Sequence, residues 1–257
     1  MSQIKALILD MDGVIWRDKH PIGELSQIFR TIRERGLEFA FATNNSTSTV
    51  DSYVELLRKS GIPVDAGQIF TSATATSKFL RDRHPEGGNV YVVGMEGLEK
   101  TLEGFGFTVS PEDARAVVVG MDRTITYEKL KTATLLIRKG VPFIGTNPDR
   151  TFPSPDGLIP GSGSILAAIE TATDQSPLII GKPKATIFTQ AIEFLGEKPE
   201  NVLVVGDRIE TDIAGGQAAG CKCALVLSGV STREMGTTWK PEIDYIAEHL
   251  TALMDMI

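Results

Sequence analysis

Short runs of apolar residues alternate along this chain with stretches in which apolar residues recur every three or four positions. Leu25, Ile28, Phe29 and Ile32 show the second pattern, which predicts a helix with one buried face. Alternation of this kind is typical of an α/β protein with a largely parallel sheet. The runs that predict strands are 4–9, 38–42, 69–70, 90–93, 116–120, 142–146, 178–180, 202–206, 223–227 and 243–246.

The chain divides into three blocks. The residues that suggest chemistry fall before about residue 50 and after about residue 180, whereas the middle block has a strand and helix rhythm of its own. Loops rich in Gly and Pro, at 85–89 and 173–177, mark its margins. We therefore predict a discontinuous Rossmann-like, doubly wound parallel-sheet core from residues 1–83 and 178–257, with an inserted α/β domain at 84–177.

Composition narrows the class of protein. The 257 residues include 26 basic and 33 acidic side chains, a net charge of −7, and basic residues are not clustered. We therefore expect neither nucleic acid nor a membrane as the main partner. The apolar stretch after Met1 is short and interrupted by acids, so we expect no signal peptide and a cytoplasmic location. Cys221 and Cys223 resemble half of a zinc site, but no second Cys or His pair completes it, and free thiols are expected.

Polar and charged residues follow four of the predicted strands. Residues i and i+2 of an extended chain share a face, so Asp10 and Asp12 can converge just past the first strand. In open parallel sheets, ligands bind beyond the carboxyl ends of the strands, so groups at these ends can meet. The candidates are Asp10 and Asp12, then Thr43, Asn44 and Asn45, then Lys182, and finally Asp207 with Asp212.

Each of these segments has a purely structural alternative. Asp12-Gly13 can be only a turn, and the segment 43–46 can be the cap of the helix that we expect to follow it directly. Lys182 can lie in a solvated turn, and 206–212 can simply begin a helix. The occurrence of all four, in this order and each after an apolar run, favours a shared site.

Together these four segments resemble the motifs of the haloacid dehalogenase (HAD)-like superfamily of aspartate-nucleophile phosphatases. The sequence Asp-Met-Asp-Gly-Val at 10–14 matches the first motif, 43–45 the second, Lys182 the third and 206–212 the fourth. The resemblance is closest to the p-nitrophenyl phosphatase and NagD-like branch, whose members carry a large α/β cap domain, and it covers essentially the whole chain.

The resemblance implies a Mg²⁺-dependent phosphoric monoester hydrolase. In this family Asp10 would be the nucleophile that forms an aspartyl-phosphate, and Asp12 the general acid and base. Asp10, Asp207 and the backbone carbonyl of Asp12 would hold Mg²⁺, with Asp212 in a supporting position. Thr43, Asn44, Asn45 and Lys182 would bind the phosphoryl group. An all-oxygen carboxylate site independently suits Mg²⁺.

The inserted domain would act as a cap that excludes water and contacts the leaving group. Candidate specificity residues follow two of its strands: Asp122 and Arg123, then Asn147, Asp149, Arg150 and Phe152. Equally, Asn147 and Asp149 can brace their own loop, and the arginines can be solvated.

The resemblance also implies a small phosphorylated metabolite as substrate: a sugar phosphate, phosphoglycolate, glycerol phosphate, a nucleotide or pyridoxal phosphate. The sequence does not choose among them. A homodimer formed through the cap is a further expectation. The alternative is a catalytically silent HAD-like protein that binds a phosphorylated metabolite or a partner.

Overall fold

A computed structural model describes residues 3–17, 20–154 and 157–257, except the side chain of Pro153. The chain forms two compact units. The first comprises Met1–Thr43, Val50–Phe70 and Lys182–Ile257, and the second comprises Asn44–Thr49 and Thr71–Gly181.

The first unit is built on a six-stranded sheet and a short hairpin. Strands and helices are numbered in chain order across both units. The sheet strands are β1 (Ala6–Leu9), β4 (Glu38–Thr43), β5 (Ile69–Thr71), β13 (Val202–Gly206), β14 (Lys222–Val226) and β15 (Tyr245–Ala247), and the hairpin strands are β2 (Trp16–Arg17) and β3 (His20–Pro21). The helices are α1 (Leu25–Glu34), α2 (Val50–Lys59), α7 (Thr186–Leu195), α8 (Ala214–Ala218), α9 (Arg233–Thr238) and α10 (Leu250–Met254).

The strand order of this sheet is β15-β14-β13-β1-β4-β5. Strand β1 lies parallel to both β4 and β13, with Leu9 in register with Phe41 and Val205. All four residues of β1 are fully buried, as expected for a central parallel strand with both faces covered. Helix α1 packs the predicted apolar stripe into the same core, which confirms that prediction.

The second unit has a parallel sheet of its own. Its strands are β6 (Gly88–Val93), β7 (Phe107–Val109), β8 (Val117–Val119), β9 (Phe143–Gly145) and β12 (Leu178–Ile179), and its hairpin strands are β10 (Thr151–Ser154) and β11 (Gly157–Pro160). Its helices are α3 (Ser72–Arg83), α4 (Glu96–Gly104), α5 (Tyr127–Arg138) and α6 (Ser162–Thr173). The sheet order is β12-β9-β8-β6-β7, and a separate apolar core lies beneath α5 and α6.

The borders of the units differ from the predicted ones. The sequence placed the borders at 83/84 and 177/178, whereas the structure divides the chain at 70/71 and 181/182 and assigns 44–49 to the second unit. Strand β12 was predicted as a strand of the core, but it pairs with β9 of the second sheet, with Leu178 opposite Ile144. That part of the prediction was wrong, because an apolar run does not reveal which sheet it joins. A capping role for the second unit stays a prediction.

Among the described residues, no helix combines the length and the apolarity that crossing a bilayer requires. Cys221 and Cys223 are both buried and form no disulfide, which confirms the expected free thiols.

Candidate active site

The strand order of the first sheet locates a crevice. From β1 the chain proceeds outward through β4 and β5 on one side, and later through β13, β14 and β15 on the other. Such a reversal leaves a crevice at the carboxyl ends of the two strands beside it, here β1 and β13. Asp10 and Asp207 are the first residues after these two strands. The sheet therefore brings together two acids that lie far apart in the sequence.

Lys182 lies at the centre of a buried group of charges. Its Nζ donates to Asp10 Oδ1 at 2.6 Å, to Asp212 Oδ1 at 2.6 Å and to the Ala42 carbonyl oxygen at 2.9 Å. The side chains of Lys182 and Asp212 are 3% and 2% exposed, and that of Asp10 is 11% exposed. Three of the predicted site residues thus form one hydrogen-bonded cluster, and the alternative of a solvated turn at Lys182 is wrong.

Burial governs the protonation of these groups. Burial raises the pKa of Asp10 well above its usual value, and Asp212 and Asp207 raise it further, while Lys182 opposes the shift. Burial raises the pKa of Asp207 to about 7, again with a contribution from Asp212. Burial disfavours the charged form of Lys182, but Asp10 and Asp212 outweigh this effect and raise its pKa. Lys182 is therefore a permanent cation amid acids that repel one another.

Asp207 is held by the loop that follows β14. The Val230 N–H donates to Asp207 Oδ2 at 2.7 Å, whereas Asp207 Oδ1 is buried and has no hydrogen-bond partner among the described residues. A Cβ atom at Gly229 would lie 1.9 Å from Asp207 Oδ2, so this loop approaches the carboxylate closely only because Gly229 lacks a side chain. The sequence analysis did not single out this loop. The feature that could have indicated it is the Ser228-Gly229 pair directly after the apolar run 223–227.

Asp12 lies in the turn that follows β1. The Trp16 indole N–H donates to Asp12 Oδ1 at 3.0 Å, and the Gly13 N–H donates to the Trp16 carbonyl oxygen at 2.7 Å. Gly13 has φ +85°, and a Cβ there would lie 2.6 Å from Asp207 Cγ. Both its backbone conformation and its closeness to Asp207 thus require glycine. The sequence marked Gly13 as a turn residue but did not single out Trp16.

Asp212 has both carboxylate oxygens engaged within the first unit. Oδ1 accepts from Lys182, and Oδ2 accepts from the Arg208 N–H at 3.0 Å. The residues between Arg208 and Asp212 form a π-helical turn (Ile209–Ile213) that leads into α8. Turns of this type are often found at functional sites. Asp212 therefore anchors Lys182 and closes this turn.

The residues present fit a small divalent cation. Carboxylate oxygens of Asp10, Asp207 and Asp212 lie within 4.8 Å of one another. Because Asp212 already accepts two hydrogen bonds, the unpartnered Asp207 Oδ1 and the Asp10 carboxylate are the better ligand candidates. A buried all-oxygen donor set with raised acid pKa values is what Mg²⁺ would stabilise.

The segment expected to bind phosphate crosses the border between the units. Thr43 is buried at the end of β4, in the first unit. Helix α2 begins only at Val50, so the expectation that this segment leads directly into a helix was wrong. Asn45 Oδ1 instead accepts from the Thr47 N–H at 2.9 Å and from Thr47 Oγ1 at 2.7 Å, which is a local turn.

Within the second unit, three candidate residues hold one another. Asn147 Nδ2 donates to the Asn44 carbonyl oxygen at 2.8 Å, and Asn44 Nδ2 donates to Asp149 Oδ2 at 3.2 Å. The Asp149 N–H donates to Asn147 Oδ1 at 3.2 Å. These contacts support the structural alternative for Asn147 and Asp149.

The remaining candidates of the second unit differ in exposure. The Asp122 carboxylate is fully buried, and it accepts from Lys129 Nζ at 2.5 Å and from the Thr124 N–H at 2.8 Å. Arg123 is exposed, with its guanidinium 5.5 Å from the ring centre of Phe152. Arg150 is exposed as well. Substrate contacts by these residues stay a prediction.

Comparisons with known proteins match this arrangement. A family model described as haloacid dehalogenase-like hydrolase matches residues 7–108, and a second, HAD-hydrolase-like model matches residues 179–253. The 5'-nucleotidase YutF of Bacillus subtilis is 38% identical over 234 residues, which cover 91% of each chain. The chain belongs to the haloacid dehalogenase-like hydrolases.

Two further relatives of this HAD-like hydrolase are named as phosphatases. The acid sugar phosphatase of Staphylococcus aureus is 38% identical over 235 residues, covering 91% of this chain and 90% of that protein. The structure of a p-nitrophenyl phosphatase from Archaeoglobus fulgidus superposes with a TM-score of 0.92 and 34% identity, over 99% of this chain and all of that one. The predicted family, fold and enzyme class, phosphoric monoester hydrolase, are confirmed by these relatives.

Proposed function

We propose that this HAD-like hydrolase is a Mg²⁺-dependent phosphatase that hydrolyses small phosphomonoesters through an aspartyl-phosphate on Asp10. The observation that carries the proposal is the buried cluster in which Lys182 bridges Asp10 and Asp212 beside Asp207. A permanent cation within hydrogen-bond distance of a candidate nucleophile is suited to a phosphate dianion.

Asp10 is assigned the attack on phosphorus. Lys182 holds Oδ1, which orients the carboxylate and partly offsets the charge that an incoming phosphate meets. Mg²⁺, held by Asp10, Asp207 and the Asp12 carbonyl oxygen, would supply further positive charge for the phosphoryl oxygens. Asp212 keeps Lys182 in place, and the Thr43 hydroxyl is assigned to the phosphoryl group.

Asp12 is assigned the proton transfers. It gives a proton to the leaving oxygen as the aspartyl-phosphate forms, and it takes one from the water that hydrolyses this intermediate. Asp12→Asn should therefore slow both steps. Asn44 and Asn45, which follow Thr43 in the chain, are predicted to bind the phosphoryl group through their backbone or side chains.

For the substrate we propose a class, small phosphomonoesters, rather than one compound. The names of the relatives point to nucleoside monophosphates, sugar phosphates and aryl phosphates. A panel of these esters, together with phosphoglycolate, glycerol phosphate and pyridoxal phosphate, should release phosphate with Mg²⁺ and none with EDTA. Release that is unchanged in EDTA would contradict the metal requirement.

The silent alternative is tested by the same panel. A protein that only binds a phosphorylated metabolite or a partner would release no phosphate from any ester, including p-nitrophenyl phosphate. The presence of Asp10, Asp12, Lys182 and Asp207 together argues against it. A cytoplasmic location and self-association through the second unit stay predictions.

A further inference from the structure

The turn between β1 and the β2–β3 hairpin contains a contact between Asp12 and a residue outside the segment 10–14 that resembles the first motif. Trp16 lies four residues after Asp12, and its indole N–H donates to Asp12 Oδ1 at 3.0 Å. The Trp16 side chain is otherwise buried in the apolar core, with 5% of the residue exposed. The ring is thus fixed by packing, and its single polar atom is directed at the carboxylate.

The backbone of this turn is fixed as well. The N–H groups of Ile15 and Gly13 donate to the carbonyl oxygens of Met11 and Trp16 at 2.9 and 2.7 Å. Ser228 Oγ donates to the Gly13 carbonyl oxygen at 2.6 Å, so the loop after β14 also holds the turn. These contacts hold the backbone on either side of Asp12, and the indole N–H holds its carboxylate.

We infer that Trp16 is a positioning residue that orients the Asp12 carboxylate for proton transfer; the inference rests on the proposed function. The indole N–H holds one oxygen of the carboxyl group and thereby fixes the direction in which the Asp12 carboxyl group faces. As an Asp10 oxygen bonds to phosphorus, the bond from phosphorus to the leaving oxygen breaks, its electron pair stays on that oxygen, and the Asp12 proton moves to it.

The second half-reaction uses the same orientation in reverse. Water bonds to phosphorus and its proton moves to Asp12, while the bond between phosphorus and Asp10 breaks and restores the Asp10 carboxylate. A misplaced Asp12 carboxyl would impair both steps without affecting the binding of the phosphoryl group. In the first step, the loss of rate should be largest for an ester whose leaving oxygen is strongly basic, because that oxygen needs the proton most.

The test compares two matched esters, phenyl phosphate and p-nitrophenyl phosphate. Phenolate is much the stronger base, whereas p-nitrophenolate departs readily without a proton. For Trp16→Phe we expect kcat/KM on phenyl phosphate, which reports only the steps up to departure of the leaving oxygen, to fall by about tenfold or more, on the basis of a lost hydrogen bond to a carboxyl group. On p-nitrophenyl phosphate kcat/KM should fall much less, because its leaving oxygen needs the proton less. The ratio of the two kcat/KM values does not depend on the fraction of folded enzyme, so partial unfolding of the variant cannot imitate the result.

Two comparisons separate orientation from mere packing. Trp239→Phe removes another indole N–H, which donates to Gln217 Oε1 at 3.0 Å, and it should leave the ratio of kcat/KM values unchanged. In an Asp12→Asn background, Trp16→Phe should cause no further change of the ratio. Equal losses of kcat/KM on both esters, or the same additional change of the ratio in the Asp12→Asn background, would overturn the inference. If Asp10→Asn retained activity on both esters, the proposed function itself would fail instead.

Discussion

Removing Lys182 should destabilise the first unit in a manner that depends on pH. In Lys182→Met, Asp10 and Asp212 lose the cation that lies 2.6 Å from each of them. Truncation of one partner of a buried ion pair typically costs about 3–5 kcal/mol. The two acids also repel each other: oxygens within 4.8 Å, at an effective dielectric constant of about 20, give about 3 kcal/mol. Both figures indicate a loss of about 3–5 kcal/mol at pH 7.5.

The sign of the pH dependence follows from the acids left behind. Burial already raises the pKa of Asp10, and the loss of Lys182 removes the main opposing influence. Between the ordinary pKa and this raised value, the folded variant binds a proton that the unfolded chain does not, so stability falls as the pH rises. The loss caused by Lys182→Met should therefore be smaller at pH 5.5 than at pH 7.5.

Urea unfolding in EDTA, at both pH values, measures this effect. A matched control is Lys59→Met, which removes an exposed lysine 2.6 Å from Glu55 and should cost at most about 1 kcal/mol. Adding Asp212→Asn to Lys182→Met should recover part of the loss, because one uncompensated charge is removed. A Lys182→Met variant within about 1 kcal/mol of the wild type at pH 7.5, which is the loss expected for an exposed ion pair, would contradict this prediction. So would an equal loss at both pH values.

Two other perturbations address Asp207. Gly229→Ala would place a methyl group 1.9 Å from Asp207 Oδ2 and force the carboxylate to move, so the apparent Mg²⁺ affinity in phosphatase assays should fall by about 10–100-fold. Gly104→Ala, where nothing lies within 4 Å, is the control, and identical Mg²⁺ titrations of the two variants would contradict the assignment. The second perturbation is Asp207→Asn in EDTA: burial raises the pKa of Asp207 to about 7, so between its ordinary pKa and that value the folded protein binds a proton that the unfolded chain does not, and stability falls as the pH rises. The Tm of Asp207→Asn minus that of the wild type should therefore be larger at pH 8 than at pH 5.5, and a difference independent of pH would count against the buried charge.

The sequence predicted the elements whose apolar period is regular. Strand β13 has the predicted bounds, and α1 buries the predicted residues. Helix α3 (Ser72–Arg83) was missed because Ser, Thr and Ala occupy all of its buried positions except that of Leu80, so it has no clear apolar stripe. The hairpin β10–β11 was missed because its strands are only four residues long, β10 contains Pro153, and β11 is largely exposed, so neither strand shows an apolar run.

The candidate site was predictable where its residues end strands of one sheet. Asp10 and Asp207 follow neighbouring strands, and their convergence follows from parallel topology. Lys182 was predicted for the wrong reason, since the strand before it belongs to the other sheet. The contacts of Trp16 and Gly229 could not be predicted, because they depend on distances between loops that a sequence pattern does not contain.

The proposed mechanism depends on a covalent phosphoryl intermediate on Asp10. Enzyme and p-nitrophenyl phosphate, mixed with Mg²⁺, should be quenched with acid within milliseconds, digested and analysed by mass spectrometry. We predict a phosphoryl group on the peptide that contains Asp10, and neither this modification nor turnover in Asp10→Asn. Full turnover by Asp10→Asn, or a phosphoryl group found only on another residue, would contradict Asp10 as the nucleophile.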